Sequence, residues 1–278
     1  MVLFFENGRL GNQLFQYSGL KKEFQGHKII LLGFSEFFHV IKSRDQIFRL
    51  PLFLSKKRFY LLIKKALNLL VKLKVITHAW ENNEFSDNRI IKVKGLFKNI
   101  IYVSSGFFQG NSNCDLVRDL TINEELVKLS KCLLEHLNIA EKEIIFLHIR
   151  RGDYLSWPTK DNPAVLSISW YLKSIEFVRK EVKNPAFLIF TDDFHYANDF
   201  FGREKDMYII NNDYSIDFTL MSICDHGILS ASSFAWWASV FVKGKSDNSI
   251  LIAPDYWIGH REKKWWPIGL KANWITYL

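Results

Sequence analysis

The sequence predicts an α/β protein with a doubly wound parallel sheet in its C-terminal half, and three observations support this class. Short continuous apolar runs in that half alternate regularly with segments of helical pattern. Such runs are typical of parallel strands that helices cover on both faces. Strands that alternate with helices imply right-handed crossovers and therefore a doubly wound sheet. The 278 residues are also enough for two domains of moderate size.

The second half contains five predicted strands and four predicted helices in alternation. The strands are 144–149, 186–191, 207–211, 227–230 and 249–254, and the helices between them are 169–180, 194–200, 216–224 and 234–242. Ser169 is the predicted N-cap of the first helix, because a serine hydroxyl accepts hydrogen bonds from the open N–H groups of a first helical turn.

The first half is less regular and resembles, at its start, a second nucleotide-binding type of domain. Its predicted elements are, in order, a strand at 2–6, the tight turn GRLGNQ, a helix at 12–25 closed by Gly26, and a strand at 28–32. Residues 34–120 show no clear order. The polar segment NIAEKE suggests a boundary, so we predict an N-terminal domain at 1–140 and a C-terminal domain at 141–278.

The composition is that of an ordered globular protein. Aromatic residues make up 15% of the chain, which excludes a disordered one. The N-terminal sequence MVLFFENGRLGNQ lacks a basic n-region and a small-residue cleavage site, and we predict no membrane-spanning helix. The three cysteines are far apart, which fits neither a disulfide framework nor a zinc site. We therefore expect a cytoplasmic protein.

The net charge of +8 is concentrated in one segment, since residues 46–80 contain eight Lys or Arg and no acidic residue. On a helix, this segment presents a polar stripe of Lys57, Lys64, Asn68 and Lys72 opposite Leu62, Ala66, Leu69 and Leu73. Two interpretations remain open: residues 56–74 contact an anionic membrane, or they form a solvated face on a helix packed against its own domain. Nucleic acid is not expected as a partner, because aliphatic residues rather than stacking aromatics separate the basic ones.

Polar clusters follow all five predicted strands of the second half. They are HIRRGDY at 148–154, TDD at 191–193, NND at 211–213, SASS at 230–233 and PDYW at 254–257. Ligands of open parallel sheets bind outside the carboxyl ends of the strands, where these clusters fall. Together, and with paired arginines among them, they indicate an anion-binding crevice.

Arg150 and Arg151 are the main candidates for binding that anion. A guanidinium carries a permanent charge and a planar fork of donors that fits two phosphate oxygens. Successive side chains of an extended segment alternate, so we expect one arginine to face the crevice and the other the protein. Ser232 and Ser233 add hydroxyl and N–H groups at a helix start, which favours phosphate. The alternative is a structural pair between one arginine and Asp153.

The sequence lacks the motifs of several other enzyme and cofactor-binding classes. The chain has no GxxxxGK[ST], GxGxxG, HExxH, CxxC or GxSxG pattern. It also has no DxD pair to hold a metal with a nucleotide diphosphate, since TDD places its carboxylates on neighbouring residues. Diphosphate charge would then be met by arginine and a helix dipole, so we expect no metal.

Four segments carry a specific resemblance. GRLGNQLFQYS, HIRRGDY, IFTDD and DFTLMSICDHGILSASSFAWWASV occur in that order between Gly8 and Val240. They resemble glycosyltransferase family 11, the α-1,2-fucosyltransferases, and the second is shared with α-1,6- and protein O-fucosyltransferases. Residues 34–95 lack a recognisable match. Ala231 stands where the family usually has Asn, and Gly227 where a larger polar residue is common.

The resemblance implies a GT-B-like fold, in which two Rossmann-like domains face a cleft and the C-terminal one holds GDP-fucose. We predict catalytic roles for Arg150, Arg151 and Asp153, and donor binding by His148, Arg150, Asn12, Asp192, Asp193, Asp217, Ser232 and Ser233. Carried over by motif, Arg150 binds the β-phosphate and Asp217 reads guanine. No cofactor is implied beyond the donor substrate.

The implied reaction moves fucose from GDP-fucose to the 2-hydroxyl of a galactoside in surface glycan synthesis, with inversion and without a metal. Asp153, Glu6 and His39 remain open as candidate bases, as does a reaction that needs no strong base. Two alternatives are a non-catalytic GDP-sugar-binding protein and a transferase for another nucleotide sugar. We expect a cytoplasmic location, with peripheral attachment to the inner membrane face left open.

Overall fold

The computed structural model describes residues 1–43, 48–49, 57–82, 89–110, 120–139 and 141–278. These residues form two compact units, Met1–Thr121 and Ile122–Leu278. Each unit contains a six-stranded sheet that is mainly or entirely parallel, together with helices. The predicted α/β fold with two Rossmann-like units is therefore confirmed.

The first unit carries a mixed sheet. Its elements are β1 (Val2–Phe5), α1 (Leu10–Glu23), β2 (Ile29–Leu32), α2 (Ser35–Val40), β3 (Ile41–Ser43), β4 (Phe48–Arg49), α3 (Lys57–Lys72), β5 (Ile76–Asn82), β6 (Arg89–Val93), β7 (Phe97–Val103) and β8 (Leu120–Ile122). The sheet order is β4-β2-β1-β7-β5-β6, with β5 and β6 antiparallel, and β3 pairs with β8 separately. Strands β5 to β7 lie in the segment that showed no clear order.

The second unit carries a parallel sheet. Its elements are α4 (Glu124–His136), β9 (Glu143–Ile149), α5 (Ile168–Glu181), β10 (Pro185–Thr191), α6 (Phe194–Phe201), β11 (Met207–Ile210), α7 (Tyr214–Ile223), β12 (His226–Ile228), α8 (Ser233–Lys245), β13 (Leu251–Ala253) and β14 (Thr276–Tyr277). All neighbouring strands pair parallel in the order β11-β10-β9-β12-β13-β14. The predicted doubly wound parallel sheet is confirmed, and β14 is an additional edge strand.

The strand order reverses at β9. From β9 the chain continues to β10 and β11 on one side, and it then returns to β12 and β13 on the other. Loops after strands on either side of such a reversal diverge and leave a crevice at the carboxyl edge of the sheet. The loops after β9 and β12, which carry HIRRGDY and SASS, therefore border this switch point.

The centre of this sheet is covered on both faces. Five successive residues of β9, Ile145 to Ile149, are buried, as the continuous apolar run predicted. A Cβ added at Gly227 of β12 would meet the ring of the neighbouring Phe146 at 2.2 Å. Glycine at 227 therefore leaves room for Phe146. In the described part of the chain, no helix is both long enough and apolar enough to cross a membrane.

Two boundaries differ from the sequence analysis. Ser167, not Ser169, is the N-cap of α5: its backbone is extended and its Oγ accepts from the N–H of Trp170 at 3.3 Å. Ser169 lies inside the first turn, so the predicted cap was wrong. The compact units divide after Thr121 rather than near residue 140, because α4 packs against α7 of the second unit.

Candidate active site

His148 lies at the switch point as a neutral, hydrogen-bonded group. Its Nδ1 is 2.7 Å from the Oγ of Ser230, and the side chain is buried in β9. Burial, as the larger cause, and the positive charge of Arg150 together lower the pKa of His148 to about 3. The imidazole is therefore uncharged at neutral pH. It can donate or accept a hydrogen bond beside the crevice, but it does not add positive charge.

Arg150 is held by two carboxylates at the end of β9. Its Nη2 lies 2.6 Å from Asp153 Oδ1, and its Nη1 lies 2.9 Å from Asp192 Oδ2. The guanidinium carbon is 5.7 Å from the ring centre of Tyr154. The pair with Asp153 that was the structural alternative is thus present. Arg150 still has N–H donors for a ligand, since a guanidinium has five of them and the side chain is 35% exposed.

Arg151 makes different contacts. Its Nε donates to Asp193 Oδ2 at 2.9 Å, and its guanidinium stacks 3.6 Å above the ring of Tyr196. Asp193 also accepts from the N–H of Tyr196 and thereby caps α6. Arg151 thus connects the loop after β9 to the start of α6, and its side chain is only 20% exposed.

Asp192 contacts both arginines. Its Oδ1 accepts from the backbone N–H of Arg151 at 2.8 Å, while its Oδ2 pairs with Arg150. A Cβ added at Gly152 would lie 2.5 Å from that same Oδ2. Glycine is therefore the residue that lets the carboxylate approach the loop this closely.

The N-terminus of α8 lies on the other side of the switch point. Ser232 caps this helix by accepting from the N–H of Phe234 at 3.3 Å, and Ser233 is the first helical residue. The hydroxyl of Tyr154 donates to the carbonyl of Ala231 at 2.9 Å and so ties the RRGDY loop to the SASS loop. Burial raises the pKa of Tyr154, so the phenol remains a neutral donor.

Asp217 lies in the first turn of α7. Its Oδ1 accepts from the side-chain amide of Asn212 at 3.4 Å, a long hydrogen bond, and Asp213 caps the helix. Burial, as the largest cause, raises the pKa of Asp217 to about 7. Besides the side-chain amide, the backbone of Asn212 also donates to this carboxylate. A carboxylate that is still poorly solvated gains from a ligand that brings further N–H groups.

Asn12 belongs to the first unit. Asn12 lies near the start of α1, and its Oδ1 accepts from Gln109 at 3.1 Å. The loop that carries Gln109 is fixed by Glu81, whose Oε2 accepts from the N–H groups of Phe107 and Phe108 at 2.7 and 3.0 Å. This support could not be predicted from the sequence, because Glu81 is distant along the chain from both Phe107 and Phe108.

Glu81→Ala should destabilise the first unit by about 1–3 kcal/mol, because the buried N–H group of Phe108 and the half-buried one of Phe107 lose their acceptor. Glu81→Gln should destabilise the first unit much less, since the amide oxygen of glutamine can accept the same hydrogen bonds as Oε2. Glu81 is only 6% exposed, so water cannot readily substitute. Urea denaturation of both variants tests this expectation, and equal losses would contradict it.

The two other candidate bases also lie in the first unit. Glu6 accepts from Gln13 Nε2 at 3.0 Å and from the N–H of Phe34 at 2.5 Å, both through Oε2. His39 is an exposed residue of α2. Glu6 thus connects β1, α1 and the loop before α2. Among the described residues, no group of three or more His, Cys, Asp or Glu side chains is arranged to hold a metal ion.

An open parallel sheet with a partly exposed arginine, a neutral histidine and a helix N-terminus at its switch point is an arrangement typical of α/β proteins that bind nucleotides. The family comparison is more specific. The model of glycosyl transferase family 11 matches residues 3–277, and the chain belongs to this family.

Two curated relatives illustrate the similarity. The O-antigen biosynthesis glycosyltransferase WbnK of Escherichia coli is 30% identical over 233 residues, which cover 78% of this chain and 70% of WbnK. Galactoside alpha-(1,2)-fucosyltransferase 1 of Pan troglodytes is 22% identical over 86% of this chain, which spans only 65% of that relative's length.

Two groups of solved structures share the fold. Fucosyltransferase NodZ from Bradyrhizobium has a TM-score of 0.53 at 12% identity, with 87% of this chain and 92% of that chain covered. POFUT1 in complex with GDP-fucose has a TM-score of 0.57 at 14% identity, with 90% and 97% covered. These similarities support the GT-B-like class that the sequence motifs implied.

Proposed function

We propose that this protein transfers fucose from GDP-fucose to the 2-hydroxyl of a galactoside, with inversion and without a metal ion. Membership of family 11 supports a glycosyltransferase. The observation that carries the donor assignment is Arg150, held and partly exposed where the loop after β9 meets the N-terminus of α8. Asp217 supplies a carboxylate suited to the two N–H donors on one edge of guanine.

In the proposed reaction, the bond between fucose and the β-phosphate breaks through an oxocarbenium-like transition state. Negative charge then builds on the β-phosphate, where Arg150 and the N–H groups of α8 stabilise it more than they stabilise the ground state. Ser232 and Ser233 supply hydroxyls at the same helix start. His148 is a neutral partner beside the nucleotide, and Arg151, Asp192 and Asp193 position the loop. Donor binding by Asn12 stays a prediction.

Asp153 can serve either as the base or as a partner of Arg150. Its side chain is 60% exposed, and exposed ion pairs contribute little. We expect Asp153→Asn to lower kcat by less than about tenfold, because Asp192 still holds the guanidinium. A fall in kcat of about 10²–10⁴-fold would instead identify Asp153 as the catalytic base and exclude Glu6 and His39 from that role. Steady-state kinetics at saturating donor separate these outcomes.

The acceptor assignment rests on what the relatives are named for. The chimpanzee relative is a galactoside enzyme, and WbnK acts in O-antigen biosynthesis. We propose a galactose-containing surface glycan as the acceptor, assembled at the cytoplasmic side of the inner membrane.

Incubation with GDP-fucose and a panel of β-galactosides tests the proposal. We expect GDP release, a product with an α-1,2 linkage, and activity that EDTA leaves unchanged. Donor binding without GDP release would favour a non-catalytic GDP-sugar-binding protein. Turnover of UDP-sugars or GDP-mannose in place of GDP-fucose would favour a transferase of another donor, and loss of activity in EDTA would remove the metal-independent scheme.

A further inference from the structure

Helix α3 of the first unit exposes leucines on a face that packs against nothing described. Its buried face contacts the sheet through Ile63, Leu67, Leu70 and Val71. Leu62 and Leu69 of α3 are 61% and 56% exposed, and Leu73, which follows the helix directly, is 63% exposed. The loop after β6 lies beside the residues that follow α3, because the N–H of Leu96 bonds to the carbonyl of Lys74 at 2.8 Å, and Leu96 is 77% exposed. We call Leu62, Leu69, Leu73 and Leu96 the apolar strip.

Basic residues border the apolar strip. At 100° per residue, Lys65 and Lys72 lie along the side of α3 next to Leu62 and Leu69. Further lysines surround the end of the helix, namely Lys74, Lys94 and Lys98, and all five of these lysines are exposed. Residues 46–80 contain no acidic residue that could neutralise them from within the segment.

We propose that the apolar strip and its lysines dock this protein on an anionic lipid bilayer. Two contributions hold an interfacial helix on a bilayer: leucines bury into the boundary between headgroups and acyl chains, and lysines reach the lipid phosphates. With 16 residues, α3 is about 24 Å long, too short to span the hydrocarbon, so it lies in the plane of the surface.

Charge favours a membrane over a second copy of the chain or a nucleic acid as the partner of this face. A symmetric dimer through this face would bring two basic surfaces together, and like charges across an interface oppose association. Nucleic acid is disfavoured because leucines, rather than stacking aromatics, lie between the lysines. An anionic bilayer matches both the charge and the apolar strip.

Vesicle sedimentation of the full chain tests the proposal. We expect binding to vesicles of phosphatidylcholine mixed with phosphatidylglycerol, little binding to phosphatidylcholine alone, and weaker binding as salt increases. Both Leu62→Gln/Leu69→Gln/Leu73→Gln and Lys65→Glu/Lys72→Glu should weaken binding at least about tenfold.

Matched controls lie in the second unit. Leu172 is 50% exposed on α5, and Lys128 and Lys131 are exposed on α4. Leu172→Gln and Lys128→Glu/Lys131→Glu should leave vesicle binding unchanged. All variants should keep the melting temperature and the activity on a soluble acceptor, so that failure of docking is separate from failure of the proposed transferase activity.

Three results would overturn the proposal. The first is absence of binding to anionic vesicles, or equal binding to neutral ones. The second is an equal loss in the control with altered lysines, which would show a net-charge effect only. The third is a leucine variant that changes from dimer to monomer in sedimentation velocity, which would make a second copy the occupant.

Discussion

Arg150→Ala should lower kcat by about 10²–10³, because it removes a preorganised donor from the charge that develops on the leaving phosphate. Arg150→Lys should recover little, since an ammonium group cannot replace the planar fork that now spans Asp153 and Asp192. The expected pattern is a loss in kcat that exceeds any rise in KM, measured with GDP-fucose at saturating acceptor.

The control for Arg150 is an arginine of similar exposure elsewhere in the same unit. Arg179 is 38% exposed and pairs with Glu204 and Asp206. Arg179→Ala should leave kcat unchanged. Removal of Arg150 leaves Asp153 and Asp192 without their shared cation, so melting temperatures of both variants must accompany the kinetics. A folded Arg150→Ala protein with near-normal turnover would refute the assignment.

GDP affinity should rise about tenfold between about pH 6 and pH 8, because only the ionised carboxylate of Asp217 accepts from guanine. Burial holds the pKa of Asp217 near 7 in the ligand-free protein, so protonation competes with binding below that pH. Asp217→Asn should weaken GDP binding at least about tenfold at pH 8 and should flatten the pH profile. Calorimetric titration of GDP measures both effects.

Stability gives an independent check on Asp217. The folded state raises its pKa, so it favours the protonated acid and opposes the ionised one. The unfavourable contribution is absent below the ordinary pKa of an aspartate and fully present above about pH 7. Asp217→Asn should therefore raise the melting temperature above pH 7 and have little effect at acidic pH. The same effect at both pH values would show that the carboxylate is not desolvated.

The second unit was predictable because its strands are buried on both faces. Continuous apolar runs such as the one in β9 mark such strands whatever their neighbours are. The first unit gave a weaker signal: β7 begins with exposed residues, and β5 and β6 form an antiparallel pair at the sheet edge. Helix α3 was ambiguous for a related reason, since its sequence contains more leucines than its buried face uses.

The candidate site was predictable as a set of loops but not as a set of contacts. The sequence places Arg150 and Arg151 after one strand and TDD after another. It does not show that Arg151 stacks on Tyr196, or that Tyr154 reaches the carbonyl of Ala231. These contacts depend on side-chain directions across neighbouring loops. The raised pKa of Asp217 likewise arises from burial, which sequence spacing does not give.

The double attachment of Asp192 has a consequence for variation at this loop. One carboxylate fixes both a guanidinium and the main chain of the adjacent residue, and a single added carbon at Gly152 would collide with it. Residues 150, 152 and 192 are therefore interdependent, and tolerated replacements at these three positions should arise in combination rather than one by one.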